Sequence, residues 1–306
     1  MWQKKGLIYN PQGTDDDWMN NSVLTPEPFM LNDEVIRIYA SFRDKDGVGR
    51  IGYLDLSAKN PSEILKINPT PVLDIGKDGR FDDNGMLLGE VIRVDDKIYM
   101  YYNAFQIVKK AKFFGFGGLA ISEDGGETFV RAQECPVLDR VPEALFGRAT
   151  HTVMYENGIF RVWYAVIYDW TFINGIPYPT YNIKYTESKN GIDFPKEGIP
   201  CVQCKDDEYR IGRPKVRRLP NGKYEMRYTS DNMKKEYRAG YAESDDGSHW
   251  VRQDDLGGLG PSGGTGWDSD EASYPVVCET KYGTYMFYDG NGMGREGFGY
   301  AKWIEE

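Results

Sequence analysis

Arginines and one of the two histidines cluster in two short segments that could bind an anion. One segment is Gly147–His151 (GRATH), and the other is Arg210–Pro214 (RIGRP). A guanidinium binds carboxylate or phosphate through two parallel hydrogen bonds, so several arginines in one pocket indicate an anionic ligand. For any single arginine, the alternative is a structural contact with a carbonyl or carboxylate of its own chain.

Two acidic segments could supply acid–base chemistry. They are Phe81–Gly85 (FDDNG) and Trp267–Glu271 (WDSDE). Two carboxyl groups that face each other can act as proton donor and base when their surroundings separate their pKa values. The alternative is turn capping, because Asp and Asn side chains commonly bond the backbone of the turns they open.

Other chemistries lack their residue patterns in this sequence. It has no Gly-rich phosphate loop, nucleophile elbow or metal-ligand cluster, so we expect neither a cofactor nor a metal. Cys201 and Cys204 have the spacing of a redox or zinc pair, but no helix and no second ligand pair accompany them. All four cysteines fit reduced thiols.

Composition limits the partners and the compartment. The formal net charge is −10, which argues against a nucleic-acid partner held by a basic face. The N-terminal residues lack the apolar region of a signal peptide, and no apolar stretch approaches the roughly 18 residues of a membrane span. We therefore expect a cytoplasmic protein without membrane insertion, and the sequence leaves the oligomeric state open.

An internal repeat shows which elements must position these residues. An apolar strand that ends in aromatic residues occurs five times, and the terminal tyrosines are 60 to 64 residues apart. The five copies are Val35–Tyr39, Ile98–Tyr102, Phe160–Tyr164, Tyr224–Tyr228 and Tyr285–Tyr288. Each continues into a further strand, and three then close with a polar Asp-Gly or Asn-Gly turn followed by an aromatic residue.

Four strands per unit without helical periodicity predict an all-β fold, a single five-bladed β-propeller with four-stranded antiparallel blades over residues 1–306. The expected blades are 20–79, 80–140, 141–205, 206–262 and 263–303. The last blade lacks a strand, and Trp2–Tyr9 has the pattern to supply it. That strand would close the ring and remove the exposed sheet edges.

Two enlarged loops are expected between second and third strands. One runs from Asn103 to Gly118, and the other runs from Tyr168 to Tyr181 and includes Trp170. Both should lie on the face where the innermost strands begin, which is the usual binding side of a repeat array. Alternation along the innermost strands should turn Arg148, Thr150 and Arg213 inward.

The repeat units resemble those of the five-bladed propeller glycosidases. The resemblance is most specific in Trp267–Val277 (WDSDEASYPVV) and in Tyr288–Gly290 (YDG), and it extends over essentially the whole chain. The superfamily includes the arabinanases and xylosidases of glycoside hydrolase family 43, the invertases and levansucrases, and the mannoside phosphorylases. Membership implies three acids, from first strands of different blades, in a central pocket. They serve as base or nucleophile, as general acid and as a tuning carboxylate.

The acidic pattern of that superfamily is incomplete in this chain. The Asp-Pro opening of the arabinanases is absent, and the nearest acid is Glu27 in Thr25–Pro28 (TPEP). The first strands of blades three and four carry basic residues instead. The acids best placed for catalysis are Asp83, Asp270 and Glu271. The residues expected to bind substrate are Glu27, Arg43, Arg148, His151, Arg210, Arg213, Tyr168 and Trp170.

The sequence therefore predicts a carbohydrate-active enzyme that acts on a glycosidic bond in the central pocket. The expected substrate is a small carbohydrate or sugar phosphate that carries an anionic group. The alternative is a sugar substrate that reacts with phosphate as co-substrate. Hydrolysis, phosphorolysis and transfer all remain open. The alternative is a non-catalytic propeller that binds glycans or sugar phosphates or acts as a scaffold. Ser122–Phe129 resembles the Asp-box of sialidases. A sialidase is nevertheless disfavoured, because those enzymes have six blades and this chain has five repeats.

Overall fold

Strands rich in β-branched and aromatic residues, separated by tight turns, make up nearly all regular structure. The computed structural model describes residues 1–12, 14 and 16–305. The strands are β1 (Trp2–Tyr9), β2 (Ser22–Asn32), β3 (Val35–Arg43), β4 (Gly49–Ser57), β5 (Ile64–Ile67), β6 (Met86–Val94), β7 (Lys97–Ile107), β8 (Phe113–Ser122), β9 (Val130–Arg131), β10 (Gly147–Glu156), β11 (Ile159–Ile173), β12 (Ile176–Ser188), β13 (Ile199–Val202), β14 (Glu208–Arg218), β15 (Tyr224–Asn232), β16 (Arg238–Ser244), β17 (Val251–Arg252), β18 (Ser273–Thr280), β19 (Gly283–Asp289) and β20 (Phe298–Trp303). Short helical turns occupy Asp254–Leu256 and Asn291–Gly294.

The chain divides into two compact units. Unit 1 comprises Met1–Ile75, Met86–Leu88 and Gly258–Glu306, and unit 2 comprises Gly76–Gly85 and Gly89–Gly257. Within the described part of the chain, no helix is both long and apolar enough to cross a membrane. The predicted all-β class with four-stranded antiparallel sheets is confirmed.

Unit 1 contains two four-stranded antiparallel sheets. One has the order β2-β3-β4-β5, and the other has the order β1-β20-β19-β18. The N-terminal strand β1 pairs antiparallel with β20, with Trp2 opposite Trp303. The expected pairing of the N-terminal segment with the last repeat is therefore present.

Unit 2 contains one sheet that resolves into three successive groups of four strands. The groups are β6-β7-β8-β9, β10-β11-β12-β13 and β14-β15-β16-β17, each antiparallel inside. Single parallel bridges join the groups, Gly115 to Gly147 and Tyr181 to Arg210. Buried apolar side chains, among them Trp163, Ile183 and Met226, form the core between the strands.

The buried aspartate of the WDSDE segment holds the outer strand of its sheet in unit 1. Asp268 accepts hydrogen bonds from the Tyr288 hydroxyl (3.0 Å) and from the Lys4 ammonium on β1 (2.7 Å). Trp267 stacks on Tyr288 with 5.1 Å between ring centroids. Trp267 and Asp268, which precede β18, therefore link β18, β19 and β1 of one sheet.

The FDDNG segment repeats this arrangement in unit 2. Asp82 is fully buried and accepts hydrogen bonds from the Tyr102 hydroxyl (3.1 Å) and from Nε of Arg131 on β9 (2.6 Å). Phe81 stacks on Tyr102 at 6.1 Å. Asp82 and Asp268 are therefore engaged in holding strands, because each already has a hydroxyl and a cation as partners.

The two expected loops are strands, so that part of the sequence prediction is wrong. The β7–β8 hairpin continues to the pair Ile107 and Phe113, and the β11–β12 hairpin continues to the pair Ile173 and Ile176. Asn174 and Gly175 connect the longer hairpin, and both have positive φ (51° and 78°). This is the geometry of a type I′ turn, whose twist matches that of the paired strands and so lets them extend.

Candidate functional site

A β-bulge interrupts the first strand of several four-stranded groups in both units. The register shifts at Thr25 in β2, at Arg213 in β14 and at Tyr274 in β18, and each of these residues precedes a proline. Their φ angles are 61°, 53° and 55°. Positive φ strains a residue that has a side chain, and such strain concentrates at sites where a side chain must be aimed. The only sequence signal for these bulges was a residue followed by proline inside an innermost strand.

In unit 2 the bulges bring a histidine and two cations together. His151 lies at the shift in β10, is 6% exposed, and has no hydrogen-bond partner for Nδ1 among the described residues. Burial holds the pKa of His151 well below its ordinary value, and the positive charges of Arg213 and Lys215 lower the pKa further. The imidazole is therefore neutral and offers a free nitrogen next to two cations.

A buried ion pair completes this cluster, which we call the cation cluster (Glu90, His151, Arg213 and Lys215). The Lys215 ammonium donates to the Gly89 carbonyl (2.7 Å) and lies 3.2 Å from Oε2 of Glu90. Both side chains are buried. Two cations and one carboxylate therefore surround the buried imidazole, which gives the cluster an excess of basic over acidic side chains.

The close approach of β6 and β10 depends on Gly89. A Cβ at this position would lie 2.5 Å from the Thr150 carbonyl oxygen, so only glycine fits. The Asn103 carboxamide donates to the same carbonyl (2.8 Å) and secures the approach. The sequence reasoning missed Glu90 and Lys215 as site residues, because their proximity depends on how neighbouring first strands pack.

Arg148 and Arg210 bond groups of their own chain, which is the structural role that the sequence analysis gave as the alternative to anion binding. Arg148 donates to the Asp139 carbonyl (2.6 Å) and to the Pro195 carbonyl (3.0 Å). Arg210 binds the buried Asp231 carboxylate through Nε (3.1 Å) and Nη2 (2.7 Å). Their predicted role in substrate binding stays a prediction.

Unit 1 has its own strained polar group around Asp289. Asp289 is fully buried, and its two carboxylate oxygens lie 3.1 and 3.2 Å from the Thr25 amide. Burial lowers the pKa of Arg43, whereas Tyr274 and Asp289 act in the opposite direction. Glu27 is buried two residues beyond Thr25 and lies opposite Tyr39. Sequence reasoning predicted Glu27 and Arg43 and missed Asp289, whose segment (YDG) supported only the family resemblance.

The three predicted catalytic acids differ in their surroundings. Glu271 accepts hydrogen bonds from the Ser273 hydroxyl (2.8 Å) and the Met293 amide (2.9 Å). Asp270 is exposed. Asp83 accepts the Gly79 amide (2.8 Å) at Oδ2, while its buried Oδ1 has no partner among the described residues. Their roles as acids or bases remain predictions.

The two predicted aromatic residues lie in different settings within unit 2. Tyr168, 37% exposed, lines a cavity of about 290 Å³ that none of the other predicted site residues lines. Trp170 packs edge-on against Phe113 (5.1 Å) and Phe146 (6.0 Å). Among residues 1–12, 14 and 16–305, no cluster of His, Cys, Asp and Glu is arranged to hold a metal ion.

The depressed pKa of His151 predicts a loss of stability at acidic pH. Below about pH 6.5, His151 is protonated in the unfolded chain but stays neutral in the folded protein. The free energy of unfolding therefore falls by about 1.4 kcal/mol per pH unit until the pKa of His151 in the folded protein is reached. Between pH 7 and pH 5, the free energy of unfolding of the wild type should therefore fall further than that of His151→Asn, by up to about 2 kcal/mol. Denaturant unfolding of both proteins at both pH values measures this. An equal fall in the two proteins would show that His151 is not buried as a neutral group.

Comparisons with known proteins agree with the fold. No protein-family profile matches the sequence. The uncharacterized protein Rv1502 of Mycobacterium tuberculosis (strain ATCC 25618 / H37Rv) is 31% identical over 301 residues, which are 98% of this chain and 98% of that protein.

Solved structures of glycoside hydrolases are similar over nearly the whole chain. One glycoside hydrolase has a TM-score of 0.71 at 17% identity and covers 98% of this chain and 90% of its own. A thermostable family-43 glycoside hydrolase has a TM-score of 0.65 at 16% identity, with coverages of 96% and 94%. A protein of the GH130 family of mannoside phosphorylases, a family that contains glycoside hydrolases targeting β-1,2 mannosidic linkages in Candida mannan, has a TM-score of 0.70 at 14% identity, with coverages of 99% and 93%. The chain belongs to the same family as Rv1502, and its fold is similar to those of these solved glycoside hydrolases.

Proposed function

We propose that this protein is a carbohydrate-active enzyme that cleaves or transfers a glycosidic bond, with phosphate or an anionic sugar group held by the cation cluster. The two sheets of unit 1 and the three groups of unit 2 are taken as the five blades of one propeller, closed by β1. The observation that carries the proposal is the buried neutral His151 beside Arg213 and Lys215, with no hydrogen-bond partner for its Nδ1 in the part of the chain that the structure describes. The likeness in fold to glycoside hydrolases and mannoside phosphorylases supports the reaction class.

The cation cluster suits a phosphate oxyanion better than a neutral sugar. Arg213 can bind two phosphate oxygens through its guanidinium, and Lys215 adds a point charge. A neutral imidazole nitrogen accepts a hydrogen bond, so His151 can take the proton-bearing oxygen of monohydrogen phosphate. Burial raises the strength of each contact, because water does not compete.

Phosphorolysis then needs one carboxylate and one acid. A phosphate oxygen forms a bond to the anomeric carbon while the glycosidic C–O bond breaks, and the leaving oxygen takes a proton. Glu90, negatively charged and buried, is assigned to stabilise the positive charge that develops on the sugar ring. Asp83 is assigned as proton donor, because its buried Oδ1 has no hydrogen-bond partner among residues 1–12, 14 and 16–305. A proton on this oxygen would not displace the Gly79 amide from Oδ2. In hydrolysis, water takes the place of phosphate.

A screen of glycosides with and without inorganic phosphate tests this function. Oligosaccharides and aryl glycosides are incubated with the enzyme, and reducing sugar and sugar 1-phosphate are measured. Sugar 1-phosphate indicates phosphorolysis, and reducing sugar released without phosphate indicates hydrolysis. Asp83→Asn should lower turnover about 100-fold or more, as loss of a general acid does. The exposed Asp78 in the same turn region provides the matched control, Asp78→Asn, which should keep full activity.

The second candidate function is binding of glycans or sugar phosphates without turnover. It is favoured by the occupied hydrogen-bonding groups of Arg148, Arg210 and Glu271, which leave fewer side chains for chemistry. Binding of phosphate or a sugar phosphate without any product would support this function and overturn the enzymatic one.

A further inference from the structure

A recess in unit 2 is separate in its lining from the cation cluster. It has a volume of about 290 Å³, close to the lower end of the sizes usual for small-molecule sites. Tyr168 and residues of β12 and β13 line it, and Glu90, His151, Arg213 and Lys215 do not. The phosphate site proposed above therefore leaves this recess without a function.

The charges that line the recess cancel. Its charged side chains are Glu143 and Lys184, which form an ion pair with each other. The Gly198 amide also donates to Oε1 of Glu143 (3.3 Å), which fixes the carboxylate. A lining without net charge favours a neutral ligand, because a charged one would lose its hydration without gaining a counter-charge.

The remaining residues combine amides, an aromatic ring and an apolar surface. Asn182 and Gln203 supply carboxamides, and the Asn182 side chain is oriented by a hydrogen bond from the Cys204 amide (2.7 Å). Val166 and Ile183 are buried and form the apolar part. Carboxamides and an ion pair offer both donors and acceptors, which suits a ligand with many hydroxyl groups rather than an apolar one.

Tyr168 gives the recess a partly exposed aromatic ring at its side. A sugar ring has an apolar C–H face and a rim of hydroxyls. It can therefore lie on a tyrosine ring while its hydroxyls bond the amides and the ion pair. Lipids and aromatic metabolites match the apolar wall alone and would leave the polar groups unpaired.

We propose that this recess is a second carbohydrate-binding site, which takes one neutral sugar residue independently of the phosphate held by the cation cluster. This site goes beyond the proposed function, because a protein that binds sugars without catalysis could also contain it. On a polymeric substrate it would hold the chain near the enzyme and raise its effective concentration.

Equilibrium binding of free monosaccharides tests the site. Calorimetry or ligand-observed NMR is run with glucose, mannose, galactose, xylose and arabinose on the wild type, Tyr168→Ala and Gln203→Ala. At least one sugar should bind with a Kd on the order of 1 mM, and Tyr168→Ala should weaken it about tenfold or more. Phe172→Ala is the matched control, because Phe172 lies on the same hairpin, is 66% exposed, and is not among the residues that line the recess.

Two further measurements separate this site from the cation cluster. Saturating inorganic phosphate and the substitution Arg213→Met should both leave monosaccharide binding unchanged. The proposal is overturned if no sugar binds, if Tyr168→Ala binds as well as the wild type, or if phosphate displaces the sugar. A failed activity screen with intact monosaccharide binding would refute the proposed enzyme and leave the second site standing.

Discussion

Arg213→Met is expected to lower kcat/KM by at least about 100-fold in the phosphate-dependent reaction. Loss of a single preorganised donor to a developing or bound oxyanion costs about two to three orders of magnitude in other enzymes. Arg213 also projects from a strained bulge with φ of 53°, a geometry maintained by the surrounding sheet. Methionine keeps most of the side-chain volume, so the change removes the charge and its hydrogen bonds rather than the packing. Steady-state kinetics at varied phosphate concentration measures the effect.

Two matched variants serve as controls for Arg213→Met. Arg213→Lys should recover part of the activity, because it restores the charge without the two-pronged geometry. Arg218→Met, at the exposed far end of the same strand, should behave as wild type. If Arg213→Met keeps both the wild-type kcat and the wild-type KM for phosphate, the cation cluster does not hold the anion.

Lys215→Met is expected to lower the free energy of unfolding by about 3 kcal/mol or more. It leaves the buried Glu90 carboxylate without its counter-charge, and a broken buried pair typically costs about 3 to 5 kcal/mol. The Gly89 carbonyl also loses its hydrogen bond from the Lys215 ammonium. Denaturant unfolding followed by tryptophan fluorescence measures the loss.

A double-mutant cycle identifies the cause of that loss. Glu90→Gln removes the stranded charge, so the double variant should be more stable than Lys215→Met alone. Both proteins carry methionine at position 215, so packing at that position cancels between them. Equal instability of Lys215→Met and the double variant would mean that packing, and not an unpaired carboxylate, explains the cost.

Much of the fold was predictable because it depends on patterns local to the sequence. The period of the aromatic strands placed the second strand of every four-stranded group, and the aromatic start of Trp2–Tyr9 identified its pairing with the last repeat. The three polar turns behave as structural caps. In the last, the Ser244 hydroxyl accepts the Gly247 amide (2.8 Å), and the Asp246 carboxylate accepts the His249 amide (2.8 Å). The long hairpin was missed although Asn174-Gly175 is a strong hairpin signal, because its aromatic strands were taken for a loop.

The sequence alone therefore determined the strand order, the turn chemistry and the supply of cations, since periodicity and turn residues act over a few positions. Which cations lie next to His151 was decided only by tertiary structure. Arg148, Arg210 and Arg213 are alike in sequence, yet two of them bond protein carbonyls or a carboxylate, and the third stands beside His151. That difference comes from bulges that turn one side chain away from its strand and from the packing of neighbouring first strands. Neither leaves a periodic trace along the chain.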